Sequence, residues 1–263
     1  MPGGGEDVRH VRGGRAAGGR LHSEGCHQSH PALNMMLSTI SSANLQFLRE
    51  LAQNNDRDWF NENKDLYRSA HENTIAFADS ILALLRKHDQ IATPSGKKSL
   101  FRIYRDTRFS KDKSPYKTYW AGSFRRATRK LRGGYYFSIT ADEAWVGGGF
   151  YQPDAADIRH IREQISADAE PLRRVLDAKA FRETFGELQG EQLKTAPKGF
   201  ARDDPAVDLL RYKSLYAGRS FDASEVLSES FPVDVDRAFR RLRPFFDYMS
   251  EILTTDLNGR PLV

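Results

Sequence analysis

Tyr135-Tyr-Phe-Ser-Ile-Thr-Ala-Asp-Glu-Ala-Trp-Val-Gly-Gly-Gly-Phe-Tyr151 is the stretch whose reading decides the fold. Two runs rich in aromatic and β-branched residues, Tyr135–Thr140 and Ala144–Tyr151, flank Ala141-Asp142-Glu143. That pattern predicts two strands joined by a tight turn. The joint is too short for the helical crossover that parallel strands need, so the pairing is antiparallel. Upstream, Ser99–Asp106 and Thr118–Arg125 read as two more strands after the clear turn Thr93-Pro94-Ser95-Gly96. Downstream, Lys213–Phe221 returns to the sheet.

Helical periodicity surrounds this block. Leu45, Leu48 and Leu51 predict a helix over Asn44–Gln53, stopped by Asn54-Asn55-Asp56. Asp56 then serves as N-cap of the next helix, because its carboxylate can accept from the free first-turn N–H groups. Trp59, Phe60, Asn63, Leu66, Tyr67 and Ala70 share one face of it. Ile75, Ala78, Ile81, Leu82 and Leu85 carry a similar stripe to Arg86, as one bent helix or two. After the hairpin, Pro153-Asp154 opens a helix with Ile158, Ile161 and Ile165 inward. Pro171 starts another with Leu172, Val175 and Leu176, and Phe181 and Phe185 mark a short third. Asp204-Pro205 reads as N-cap and N1 of a short helix ending near Arg211. Asp222–Ser230 and Val233–Leu253 close the chain as helices, with Phe239, Phe245, Phe246 and Tyr248 packed inward. Strands in one run, with helices on either side, predict an α+β fold. The expectation is a single domain over 41–263, with a central, mainly antiparallel sheet of about four to six strands flanked by N-terminal and C-terminal helices.

The first 34 residues have a different texture, with eight Gly, four of the seven His and the only cysteine, Cys26. They lack the apolar core of a signal peptide. Residues 1–40 therefore read either as a disordered basic tail or as a stretch upstream of a true start at Met35 or Met36, the second being preferred. His22, Cys26, His27 and His30 have metal-ligating chemistry, but a low-complexity origin explains them better. One cysteine excludes an intrachain disulfide framework, and no apolar run reaches the roughly 20 residues of a membrane helix. The expected setting is cytoplasmic, without a membrane partner.

The net charge of +5 is unevenly spread. From Lys97 to Arg132 there are thirteen Lys and Arg against Asp106 and Asp112, a net of +11, so the rest of the chain carries −6. If Leu100–Phe109 is extended, Phe101, Ile103, Arg105, Thr107 and Phe109 share one face and Arg102, Tyr104, Asp106 and Arg108 the other. An arginine at position 105, on a largely apolar face, must then meet a carboxylate or reach a ligand, since a stranded buried charge costs several kcal/mol (~3–5). Three guanidiniums (Arg102, Arg105, Arg108) and three ammoniums (Lys111, Lys113, Lys117) around one turn suit a phosphate or carboxylate, with arginine as the fork and lysine as the point charge. The same residues would also serve as a solvated loop held by Arg–Asp pairs.

Arg102-x-x-Arg105-Asp106-x-Arg108-Phe109, followed by Asp112-Lys113-x-x-Tyr116, resembles the signature of an uncharacterised bacterial and fungal family, the domain of unknown function 2461. Asn54-Asn55 with Trp59-Phe60 is similar to the family's N-terminal helical motif, and Tyr135-Tyr136 with Gly147-Gly148-Gly149 and Pro153 to its hairpin. Ala196-Pro197-Lys198-Gly199 with Leu209-Leu210-Arg211-Tyr212-Lys213 is similar to its later block, so the likeness runs from about Leu45 to Leu253. Where the family is expected to hold a histidine near its Asp-Pro step, this chain has Asp203-Asp204-Pro205, which removes an acid–base role for a histidine there. The resemblance implies no activity, because none is assigned to the family.

Three classes of function follow. The first is a site for a phosphorylated or otherwise anionic small molecule, with Arg102, Arg105, Arg108, Lys113 and Lys117 on the anion and Tyr116 as an orienting donor. Asp106 is then the candidate catalytic base or orients an arginine, and Lys198, Arg211 and Lys213 extend the site if their segments fold back. The second is a nucleic-acid-binding protein in which Phe101, Tyr104, Phe109, Tyr116, Tyr119 and Trp120 stack on bases. A nuclease is a weaker variant, since Asp106 and Asp112 form no recognisable acidic constellation. The third is an interaction module for an acidic partner. No metal or cofactor is expected: Gly147-Gly148-Gly149 matches neither G-x-G-x-x-G nor a P-loop and reads as a bulge or tight packing. His71, His88 and His160 are isolated and read as surface residues. Arg237, Arg240, Arg241 and Arg243 make a basic face on the last helix.

Overall fold

The computed structural model describes residues 37–263; positions 1–36 of the expected tail, with the two candidate starts and the His22–His30 cluster, lie outside them, whereas its last residues are packed, Ser38 N–H donating to Ser80 Oγ at 2.8 Å and Ile40 buried. Helix α1 (Ser42–Gln53) begins where the Ser41 side chain accepts from the Asn44 N–H at 3.2 Å. Asp56 caps α2 (Arg57–Glu62), accepting from the N–H groups of Asp58 and Trp59 at 2.9 Å. The stripe beyond does divide into two helices, but inside its first stretch, between Phe60 and Leu66, and it runs unbroken from Leu66 to Leu85. At Asn63 the backbone leaves the helix, and the Asn63 amide donates to the Trp59 carbonyl before α3 (Lys64–Leu85) starts. Leu66, expected inward, is 49% exposed.

The turn at Thr93–Gly96 leads into one helical turn, α4 (Gly96–Ser99), capped by Ser95. The strand expected over Ser99–Asp106 does not form. Ser99 ends α4, and the segment beyond makes only isolated bridges, Leu100 with Gly122 and Tyr104 with Tyr116. The alternating-face reading fails with it: Ile103 is buried, but Phe109 is 95% exposed. A loop of charged residues cannot supply a second apolar face to bury.

The sheet comprises β1 (Trp120–Arg125), β2 (Gly134–Ile139) and β3 (Glu143–Phe150), with a fourth strand joining later. Helices α5 (Ala155–Ala167), α6 (Glu170–Asp177) and α7 (Lys179–Phe185) follow. Asp154 caps α5 as its sequence predicts. Asp204 does not cap a helix: it accepts from the Ala206 N–H within a turn, and α8 (Val207–Leu210) starts two residues late. Strand β4 (Leu215–Asp222) then pairs with β3, from Glu143 opposite Asp222 to Phe150 opposite Leu215. All neighbours in the order β1-β2-β3-β4 are antiparallel, which gives the α+β architecture. Asp222 and Glu225 form a reciprocal capping box on α9 (Ala223–Val226), and α10 (Phe231–Thr254) completes the fold.

Helices α3 and α10 pack together against one face of the sheet. Phe124, Tyr135, Phe137 and Phe221 point into that layer, where Phe77 stacks on Phe231 at 5.2 Å between ring centroids. Asn44, fully buried, ties three elements together. Its amide donates to Ala70 O and Thr74 Oγ1 of α3, and its carbonyl accepts from Trp120 Nε1 at 2.6 Å.

The three histidines are not free surface residues. His71 stacks on Tyr67, His88 Nε2 lies 2.8 Å from Asp236 Oδ1, and His160 Nε2 lies 2.7 Å from Ile252 O. Nor is the last helix an open basic face, since Arg237 pairs with Asp234, Arg240 with Asp236, and Arg243 with Asp89.

Candidate functional site

Two adjoining surfaces gather the chemistry. The first is the basic loop, closed at its neck by Arg105 N–H to Pro115 O at 2.9 Å and Lys117 N–H to Ile103 O at 2.7 Å. The Asn55 amide grips the Tyr116 backbone from both sides, donating to its carbonyl at 3.0 Å and accepting from its N–H at 3.1 Å. The Tyr116 ring lies parallel to Phe60 at 4.0 Å and is 4% exposed. It was expected as an orienting donor; buried in this way, it anchors the loop.

Within the loop, Arg105 pairs with Asp112, which also accepts from the Ser114 N–H at 2.9 Å and hydroxyl. The Ser114 hydroxyl and N–H, with Arg105, hold the Asp112 carboxyl well below the usual carboxylate range. Asp106 takes Arg108 in a two-point grip, Nε to Oδ1 at 3.0 Å and Nη2 to Oδ2 at 2.7 Å. Arg108 in turn keeps Asp106 below its ordinary value, which makes it a poor proton acceptor. Lys113 Nζ donates to Thr107 O and Lys117 Nζ to Arg102 O. Burial, with Arg102 beside it, lowers the affinity of Lys117 for its proton. Among the described residues the Arg102 guanidinium has no hydrogen-bonded acceptor.

Arg102, Arg105, Arg108 and Lys117 line one surface basin of about 800 Å3, together with Phe101 and Tyr104. Lys113 stands outside it. Lys198, Arg211 and Lys213 do not line it either; Arg211 and Lys213 lead into β4, at the other edge of the sheet from β1, which the basin adjoins. Arg211 donates to Leu193 O at 2.6 Å and Lys213 pairs with Glu191, so both fasten the 189–193 segment against the sheet.

The second surface is the face of the sheet turned away from α3 and α10, a cleft of about 870 Å3. Its rings form a chain: Phe101 to Tyr136 at 6.2 Å, Tyr136 to Trp145 at 5.9 Å, Trp145 to Tyr216 at 6.2 Å and Tyr216 to Tyr151 at 6.1 Å. The glycines explain how Trp145 sits. A Cβ on Gly147 would lie 2.5 Å from the indole, and one on Gly218 would lie 2.2 Å from it. The ring therefore lies flat on positions that have no side chain, one in its own strand and one in β4. This is the tight packing expected of the glycine run. Gly218, which the sequence reading did not single out, is its other half.

A third cluster is buried. Arg126 and Asp89 pair at 2.8 Å with side chains 0% and 1% exposed, and Tyr135 donates to the same carboxylate at 2.7 Å. Arg126 also reaches Asp247 at 2.9 Å and Ser250 at 3.2 Å. Burial and this hydrogen bond push the Tyr135 hydroxyl far above the ordinary tyrosine value. Arg105 does meet a carboxylate, Asp112, but stays partly exposed; the arginine whose full burial demands a partner is Arg126. Its partners lie in a turn and in α10, far from it in sequence.

Among the described residues no group of three or more His, Cys, Asp and Glu side chains is placed to hold a metal ion, and no helix is long and apolar enough to cross a membrane. These features define an α+β protein with an open aromatic sheet face beside a basic loop. The family model for a conserved hypothetical protein, DUF2461, matches residues 43–248, and the chain belongs to that family. No curated protein matches the chain.

Proposed function

We propose that the basin binds a phosphate-bearing small molecule of the cytoplasm. The observation that supports this is the sharing of one basin by four cations, with Asp106 the one acid among the described residues that line it. Asp106 and Asp112 hold Arg108 and Arg105 in fixed orientations, so less side-chain freedom is lost when an anion docks. Arg102 offers a fork that no acceptor among the described residues occupies, and Lys117 a point charge beside it. Asp106 acts here as an orienting group, and no reaction is assigned to it.

Thermal shift with inorganic phosphate, ribose 5-phosphate and nucleotides tests this reading. A ligand at about 100 times its Kd adds about 2.7 kcal/mol of stability. The stabilisation is expected in wild type and lost in Arg102→Ala/Lys117→Ala. Equal response of the two proteins removes the reading. Arg105→Ala is the poorer test, because it also releases Asp112 and the loop.

A second reading, nucleic acid along this face, is favoured by one observation: Phe101 lines both the basin and the aromatic cleft.

A further inference from the structure

The aromatic cleft is a surface of a different kind from the basin, and it is built for a flat ring. Trp145 lies down on Gly147 and Gly218 and leaves its other face toward the cleft. Tyr136 and Tyr216 stand beside it at interplanar angles of 55° and 76°, as walls to a floor. Ser123 and Ser138 add hydroxyls along the cleft, and the Gln189 amide, whose N–H donates to Gly218 O at 2.9 Å, adds its carbonyl oxygen. Arg125 lies at the row of Gly134, Gly149 and Tyr216, and its guanidinium has no partner among the described residues. A purely apolar occupant would leave these polar groups and that cation unmatched. A planar heteroaromatic ring with donors and acceptors at its edge matches both the floor and the rim.

The basin fixes what the ring is attached to. Phe101 belongs to both surfaces, and Lys117 Nζ lies 6.0 Å from the centre of its ring. A ring entering the cleft at the Tyr136 end therefore has Arg102 and Lys117 beside it.

We propose that the cleft and the basin together bind a nucleotide unit, with its base on the Trp145 floor and its phosphate among Arg102 and Lys117. The basin half rests on the anion-binding reading above; the cleft half does not. A nucleotide unit comes either free or within a single strand, and the two sources offer the same chemistry to this surface.

The experiment is a set of calorimetric titrations of the full chain with AMP, ribose 5-phosphate, adenosine and a single-stranded ten-nucleotide oligomer. Unchanged thermal unfolding first establishes that the Tyr136→Ala, Tyr216→Ala and Arg102→Ala variants are folded. AMP is expected to bind on the order of tenfold more tightly than ribose 5-phosphate, the usual effect of one base stacked on aromatic side chains. Tyr136→Ala or Tyr216→Ala should remove that advantage and leave ribose 5-phosphate unchanged. Arg102→Ala should weaken AMP and ribose 5-phosphate alike. An oligomer that binds more tightly than AMP, with an affinity falling steeply as salt rises, identifies a strand as the source; one that binds no tighter identifies the free nucleotide.

Equal binding of AMP and ribose 5-phosphate, unaffected by Tyr136→Ala, overturns the proposal and leaves the anion site standing. Adenosine binding as well as AMP, unaffected by Arg102→Ala, overturns it from the other side and takes the anion site with it. A dimer that Tyr136→Ala splits into monomers also overturns it, because the occupant is then a second copy of the chain.

Discussion

On the inner face of the sheet, Phe124, Tyr135, Phe137 and Phe221 are sealed beneath α3 and α10, each at most 2% exposed. On the outer face, Tyr136, Trp145 and Tyr216 of β2, β3 and β4 occupy the alternate positions, and no helix among the described residues covers them. Both faces are aromatic. The inner rings touch one another through edge and stacked contacts within a close-packed layer, so each removal leaves a void. The outer rings rest on glycines and on one another around open space. Residue type alone therefore does not separate a core from a binding surface: the helices on one side and the glycines on the other do.

Adjacent residues give the sharpest way to break this contrast. Phe137→Ala should cost about 3–5 kcal/mol in urea denaturation, because its fully buried ring leaves a cavity. Tyr136→Ala, one position away, should cost about 1 kcal/mol or less, the range of a cross-strand pair. Similar losses for the two would mean that the outer face is covered in solution.

Arg126→Met probes the polar part of the inner layer. It leaves the Asp89 carboxylate buried with less compensation and should cost about 3–5 kcal/mol. Adding Asp89→Asn should recover part of that loss, because the stranded charge is gone. A double variant as unstable as the single one would show that Arg243 already compensates Asp89.

Gly218→Ala should cost less than either inner-layer variant, about 1–3 kcal/mol, because its methyl meets the indole and must lift it. The accompanying sign is a red shift of tryptophan emission as Trp145 moves toward water. Loss of stability without that shift would place the strain in the strand rather than under the ring.

Much of the fold was legible because the signals are local. The hairpin, the caps at Asp56 and Asp154 and the helical stripes depend on neighbours a few residues apart. Where the sequence misled, the decisive partner is distant. Arg105 and Arg126 both follow aromatic runs, and nothing nearby shows that Asp89, 37 residues upstream of Arg126, buries the second and not the first. Arg126 and Arg132 count toward the +11 segment, but Asp89, Asp247 and Asp157 neutralise them from outside it, so the surface charge is smaller than the tally. The strand expected at Ser99–Asp106 fails for a related reason: the alternation exists only in the sequence, since Ile103 is buried while Phe101 and Phe109, two and six residues away, are exposed. The cleft was present in the sequence as Tyr136, Trp145 and Tyr216. It could not be assembled without the β3–β4 register, which sets Gly218 opposite Gly147 across the 151–214 insertion.

That insertion gives the Trp145 floor an order of assembly. The β1-β2-β3 meander closes through short connections, whereas β4 returns only after α5, α6, α7 and α8. Contacts between near neighbours form ahead of those that need a long loop closed. A chain emerging from the ribosome that ends at α8 holds β3 as an edge strand with unpaired backbone groups, and supports the indole from Gly147 alone. Only the arrival of β4 supplies the second glycine, covers the edge and raises the Tyr216 wall. The aromatic surface is thus a late product of synthesis, one that no chain ending before β4 displays.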